Sequence, residues 1–237
     1  MTTLDFTGEP RVSRRHLALA LDVESLAEAI ELARPLQPYF AVAKVGLELF
    51  SAHGPDAVAA MRDLGFDVFL DVKLHDIPNT VGKAATVLGR LGTRYLTMHA
   101  SGGVPMLRAG VEGLATGASA AGLESPIALG VTVLTSDAEA PVEVFEARAI
   151  AARESGCGGL VCAVAEASRA KAIAPSLIVV TPGIRPAGVA ANDQGRPATP
   201  AAALAAGADL LVIGRAVTAA AHPVEAARRI LAELDGV

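Results

Sequence analysis

The stretch VFLDVKLHDIPNT, residues 68–80, opens as an apolar strand and then places Asp71, Lys73 and Asp76 within six residues. Side chains two apart on a strand share a face, so Asp71 and Lys73 point together and Val72 points away. Lys44 lies near the end of a second apolar run, AVAKVG, and Asp22 ends a third, LALALD. If these ends meet, the four residues form a chain of alternating charge, which is costly to assemble unless its members pair. One such pair alone reads as a rim salt bridge tying strand ends together. Four converging charges point instead to an active site, where ammonium and carboxylate groups within reach of one another perform electrostatic and acid–base catalysis.

Other chemistries lack their usual supports. A dinucleotide fingerprint needs its glycines after a strand and opening a helix, whereas SGCGGLV sets Gly156, Gly158 and Gly159 before a strand. No Walker A, HExxH or GxSxG pattern occurs. The two cysteines, Cys157 and Cys162, have no companion pair at metal-ligand spacing. They read as reduced core residues, which suits a cytoplasmic protein.

The elements that must position the charges follow from composition and rhythm. With 237 residues, 52% of them hydrophobic, the chain can bury a large core. A net charge of −5, with Lys and Arg scattered among acids, leaves no stripe for nucleic acid. The N-terminal stretch carries Asp5 and Glu9 and no apolar core, so it reads as an extension over residues 1–15 and not as a signal peptide. Uncharged stretches such as SPIALGVTVLTS are far short of the roughly 20 residues of a membrane helix. Short apolar runs alternate with Ala-rich amphipathic segments to the C-terminus, without a linker that would split residues 1–237 into two domains. Strands are predicted at 17–22, 41–46, 68–73, 95–99, 127–133, 160–164, 178–181 and 210–214.

Eight such units match a single (β/α)8 TIM barrel, with a doubly wound open sheet as the alternative. The polar residues arbitrate. Asp22, Lys44, Asp71 with Lys73, His99, Thr132, Pro182 with Gly183, and Gly214 with Arg215 all fall at or near predicted strand C-termini, and Thr135 follows shortly after one. Only a closed barrel brings all of these ends to one face, where barrel enzymes keep their active sites. Barrels commonly hold phosphate with the loops after strands seven and eight, here TPGIRP and VIGRAVT. There Gly183 and Gly214 would let backbone N–H groups approach an anion, and Arg185 and Arg215 offer planar forks. The long polar loop RPAGVAANDQGRPATP between them reads as a lid.

Taken in order, LALALD, AKVGLELF, FLDVKLHDIPNT, MHASGG, GVTVLTS, TPGIRP, NDQGR and VIGRAVT resemble the orotidine 5'-phosphate decarboxylase family of the bacterial type. The likeness runs through nearly the whole chain after the extension. Related phosphosugar enzymes share the D-x-K-x-x-D element, but its combination with Lys44, Arg185, Gln194 and Arg215 is specific. The resemblance implies decarboxylation of orotidine 5'-phosphate to UMP and CO2 in pyrimidine synthesis, with no metal or organic cofactor. Lys73 would stabilise the carbanion-like state at C6 and protonate it, with Asp71 beside the substrate carboxylate. Asp76 and Thr80, with Ile77 beside them, would reach the neighbouring active site of a homodimer. Asp22 would bind a ribose hydroxyl, and Lys44 would bridge the ribose and Asp71. Thr135 or Ser136 would contact the pyrimidine, with Thr135 the preferred candidate. Arg185, Gln194, Gly214 and Arg215 would hold the phosphate.

Residue chemistry leaves a second reading for some of these positions. Asp76 also suits an N-cap, because Pro78 stands where a first helical turn should begin. His99 is expected to shape the site or pack, and His75 to be structural or interfacial. In the metal-dependent phosphosugar branch a glutamate occupies the position of Lys44 and helps hold magnesium, so an ammonium there argues against a metal. A metal-dependent phosphosugar decarboxylase or synthase and a non-catalytic phosphonucleotide-binding barrel are the competing functions.

Overall fold

A computed structural model describes residues 13–134, 137, 140–186 and 198–235. Eight strands, β1 (Leu17–Leu21), β2 (Val42–Gly46), β3 (Asp67–Leu74), β4 (Tyr95–His99), β5 (Ile127–Val131), β6 (Gly159–Val161), β7 (Ile178–Thr181) and β8 (Leu210–Ile213), form a closed barrel in chain order. Every neighbouring pair is parallel, and β8 returns to β1 through Leu17–Leu211, Ala18–Val212 and Leu19–Ile213. The helices are α1 (Leu26–Leu36), α2 (Leu47–His53), α3 (Pro55–Asp63), α4 (Pro78–Gly89), α5 (Gly103–Ala120), α6 (Val142–Glu154), α7 (Val164–Ile173), α8 (Pro200–Ala205), α9 (Arg215–Thr218) and α10 (Pro223–Asp235). The fold is the expected (β/α)8 barrel, and the open sheet is excluded by the β1–β8 pairing.

Period-two alternation divides each strand between two cores. On β1, Leu17, Leu19 and Leu21 face the helices, while Ala18 and Ala20 face the barrel axis. The axial core also contains Val42, Phe69, Leu129, Val180, Leu210 and Val212. Small residues make room for large ones there: a Cβ on Gly159 would press on Leu129 and Ile178. Gly158 and Gly159 of SGCGGLV therefore serve packing, while Gly156 takes a left-handed φ of 84° in the turn before the strand. The barrel is filled below, and its inward rows become polar only toward the C-terminal mouth.

Two local departures from the expected strands have physical causes. The sixth strand ends at Val161, because Val164 already begins α7, with Glu166 Oε2 accepting the Ala163 N–H at 2.9 Å. At the end of β3 the regular ladder with β4 is interrupted between Leu70 and Leu74, where Lys73 takes a left-handed φ of 49°. That conformation is costly for a side-chain-bearing residue and persists only where its surroundings hold it.

Helix α4 follows this irregular turn and is tightly placed. Ile77 is extended (φ −59°, ψ 152°) ahead of Pro78, as a residue before proline prefers, and Pro78 opens the helix. Against α5 the contact is backbone to backbone: a Cβ on Gly113 would strike Gly82 O, and one on Gly117 would strike Thr86 O. Substituting either glycine would push α4 and α5 apart.

Candidate active site

Charge and cavity coincide at the C-terminal mouth. Lys44 Nζ donates to Asp22 Oδ1 at 2.9 Å and lies 3.7 Å from Asp71 Oδ2, while Lys73 Nζ donates to Asp71 Oδ1 at 2.8 Å. The four predicted residues thus form one continuous network, Asp22–Lys44–Asp71–Lys73. Its middle is enclosed and its ends are open: side-chain exposure is 10% for Lys44 and 13% for Asp71, against 28% for Lys73 and 59% for Asp22. Burial raises the Asp71 pKa, but Lys44, Lys73 and the Thr97 hydroxyl outweigh it and hold the carboxyl below its ordinary 3.8. Asp71 is therefore an anion at neutral pH.

Thr97 is a member of this site that sequence reasoning missed. Its hydroxyl donates to Asp71 Oδ1 at 2.9 Å and accepts the Lys73 N–H at 2.9 Å, so one side chain fixes both the carboxylate and the backbone of the lysine. The signal was available in parity: Thr97 lies midway between Tyr95 and His99 in the inward row of β4, a fully buried polar residue in an apolar strand. Its contact stands where the β3–β4 ladder is interrupted.

Two adjoining cavities share Lys44, Asp71, Pro182 and Val212. The smaller, about 150 Å³, is floored by Phe69, Val131, Val161 and Val212, with Lys73 at its edge. This compartment suits a flat heterocycle with one polar edge. The larger, about 430 Å³, runs from Asp22 to Gly183, Arg185, Gly214 and Arg215. Gly183 has φ 79°, a conformation that favours glycine, whereas the backbone of Gly214 (φ −112°) lies outside the left-handed region. Arg185 is buried to 6% exposure, and its backbone N–H donates to Ala198 O at 2.9 Å. Together with the Ile184–Ala198 bridge, this bond joins the two ends of the predicted lid. Gln194 and Thr135, with its alternative Ser136, lie outside the described residues.

The remaining candidates are not drawn into the network. Asp76, Ile77 and Thr80 are exposed, Ile77 to 65%, beyond the two cavities. Asp76 Oδ1 accepts the Ile77 N–H at 2.7 Å, but the residue that caps α4 is Ile77, with no side-chain bond, so Asp76 is not the N-cap. His99, expected to shape the site or pack, lines neither cavity and makes a ring contact with His75, at 5.4 Å between centroids. Cys157 and Cys162 are buried and unbridged, as expected, and burial pushes the Cys157 thiol up to about 11. Among the described residues there is no group of three or more His, Cys, Asp or Glu placed to hold a metal, and no helix long and apolar enough to cross a membrane.

Comparison with known proteins places this geometry. A family model described as orotidine 5'-phosphate decarboxylase / HUMPS family matches residues 15–230. Orotidine 5'-phosphate decarboxylase of Moorella thermoacetica is 46% identical over 233 residues, covering 93% of this chain and 92% of that relative. The Pseudomonas syringae pv. tomato protein of the same name is 44% identical, covering 91% and 96%. Among solved structures, orotidine 5'-phosphate decarboxylase from Lactobacillus acidophilus superposes with a TM-score of 0.80 at 34% identity, covering 93% of this chain and 99% of that one.

Proposed function

The chain belongs to the orotidine 5'-phosphate decarboxylase / HUMPS family, and from that premise we propose that it converts orotidine 5'-phosphate to UMP and CO2 in pyrimidine biosynthesis. One observation carries the reading: the Lys73 ammonium, held 2.8 Å from Asp71, stands at the edge of an apolar compartment that opens into an arginine- and glycine-lined cavity. A substrate with a heterocycle at one end, a ribose in the middle and a phosphate at the other matches that order of surroundings.

In this reading the pyrimidine lies over Phe69 and Val212, with C6 and its carboxylate toward Lys73 and Asp71. The C6–carboxylate bond breaks, its electron pair stays on C6, and CO2 leaves. The Lys73 ammonium stabilises the developing carbanion and then gives it a proton, and solvent returns a proton to the amine. Asp71 keeps Lys73 charged and aimed, while Lys44 and Asp22 are in reach of the ribose. Arg185, Gly214 and Arg215, with Gln194, take the phosphate, and Thr135 the pyrimidine edge. The reaction calls on no metal here: the Lys44 ammonium already lies between Asp22 and Asp71. We read the protein as a cytoplasmic homodimer. Exposed Asp76, Ile77 and Thr80 would complete the partner's site, which is consistent with their lying outside their own network.

The test is a spectrophotometric assay of orotidine 5'-phosphate with EDTA present, comparing the native protein with Lys73→Ala. Turnover that resists EDTA and vanishes in the variant is expected. Loss of native turnover on chelation would instead support metal-dependent phosphosugar-type chemistry. UMP binding without any native turnover would support a binding protein, and an active Lys73→Ala would refute the mechanism. Gel filtration tests the dimer, which a fully active monomer would contradict.

A further inference from the structure

The β3–α4 connection carries both Lys73 and Asp76, yet it leaves regular sheet pairing just where position matters most. Lys73 is left-handed, and the β3–β4 ladder lapses between Leu70 and Leu74. Side chains from the inward row of β4 take over there. Thr97 holds the Lys73 N–H, and one step further along that row the His99 ring meets the His75 ring, with centroids 5.4 Å apart and planes tilted by 46°. That separation lies within the range of attractive ring contacts. His75 directly precedes Asp76 and is itself solvent-exposed, so the contact ties the connection to the half-buried His99.

We propose that the His75–His99 ring contact positions Asp76 for the neighbouring site it completes, and that it does so only while the His99 ring is neutral. His99 faces Asp71, Lys73 and His75 from the β3 side and Arg148 from α6. Two of these neighbours, Lys73 and Arg148, are cations. Burial, then His75, Lys73 and Arg148, hold the His99 pKa below its ordinary 6.5, with Asp71 opposing weakly. A proton on His99 places a cation beside the His75 ring and beside Lys73. The pair therefore holds at neutral pH and loosens in acid.

The kinetic consequence rests on the decarboxylase reading, but the structural consequence does not. Hydrogen exchange at the hydrogen-bonded amides of Ile77 and Thr80 should quicken roughly three- to tenfold in His75→Ala and in His99→Ala, the range expected for one ring contact. Amides of β6 to β8 should be unaffected. His99→Phe keeps a ring without its titration, so at neutral pH it should exchange like the native protein. It should lack the loss of protection, after correction for the intrinsic exchange rate, that the native protein is expected to show as pH falls below 6.5. In turnover, His75→Ala should lower kcat by a similar roughly three- to tenfold factor with KM nearly unchanged. In an Asp76→Asn background the same substitution should cost almost nothing more.

Unchanged exchange in both alanine variants, His99→Phe as fast as His99→Ala, or a full His75→Ala penalty in the Asp76→Asn background would overturn the proposal. Native protein without turnover would refute the decarboxylase reading, and the exchange comparison would still decide the ring contact.

Discussion

The two sides of the barrel mouth are built on different principles. At the ends of β1 to β3, charged side chains project from strands, pair within 2.8 to 3.7 Å and are locked by a threonine in the next strand. After β7 and β8, the cavity is lined instead by connecting segments that carry Gly183 with Arg185 and Gly214 with Arg215. Rigid strands suit groups whose spacing sets a reaction barrier, because small displacements there cost rate. Loops suit an anion that must be admitted, gripped and released, which demands affinity more than exact placement. The strand side should thus govern kcat, and the loop side KM.

That division can be broken from either side. The largest expected effect is Lys73→Ala, which removes both the cation and the proton donor. Its kcat should fall by about 10⁴-fold or more, and a variant that instead raised KM at constant kcat would dissolve the distinction. Next comes Arg215→Ala. Losing a charge-assisted contact to phosphate should raise KM by roughly 10- to 100-fold and leave the kcat of saturated enzyme nearly intact. An equal loss in kcat would mean that phosphate binding is coupled to the chemistry.

Thr97→Val sharpens the comparison, because it leaves all four charges in place and removes only their lock. The expected loss is about tenfold in kcat, with little change in KM, from one buried hydrogen-bonded group. The smallest effect is on stability against acid, followed by calorimetry. His99, with its pKa lowered, contributes fully above 6.5 and progressively less as pH falls below that value. Asp71, also lowered, contributes fully above 3.8 and loses its share as pH falls through its folded-state value. His99→Phe should flatten the upper step and Asp71→Asn the lower. Either variant flattening the other's step would show the assignment of groups to be wrong.

Much of this was legible because strand residues obey a two-residue period. LALALD, AVAKVG and VFLDVK each show an apolar run turning polar toward its end, so the barrel and the convergence of Asp22, Lys44, Asp71 and Lys73 could be anticipated. Thr97 was not singled out, although its inward parity was visible. A threonine in an apolar strand gains meaning only from what stands opposite, and the partner strand's register cannot be read from one strand. The left-handed turn at Lys73 was hidden for a related reason. Regular alternation put Lys73 beside Asp71, and the salt bridge forms, but across a backbone that has left the regular ladder.

By itself, then, the amino-acid sequence determined the chemical types, their order and the face each strand presents, since these follow from covalent spacing and strand geometry. Tertiary structure alone decided which neighbours complete them: Thr97 clasping Asp71 and the Lys73 backbone, His99 meeting His75, and Asp76 left outside its own network. Those contacts join residues on different strands and loops, and their distances depend on how the barrel closes and where its ladder is interrupted, quantities that no local pattern encodes.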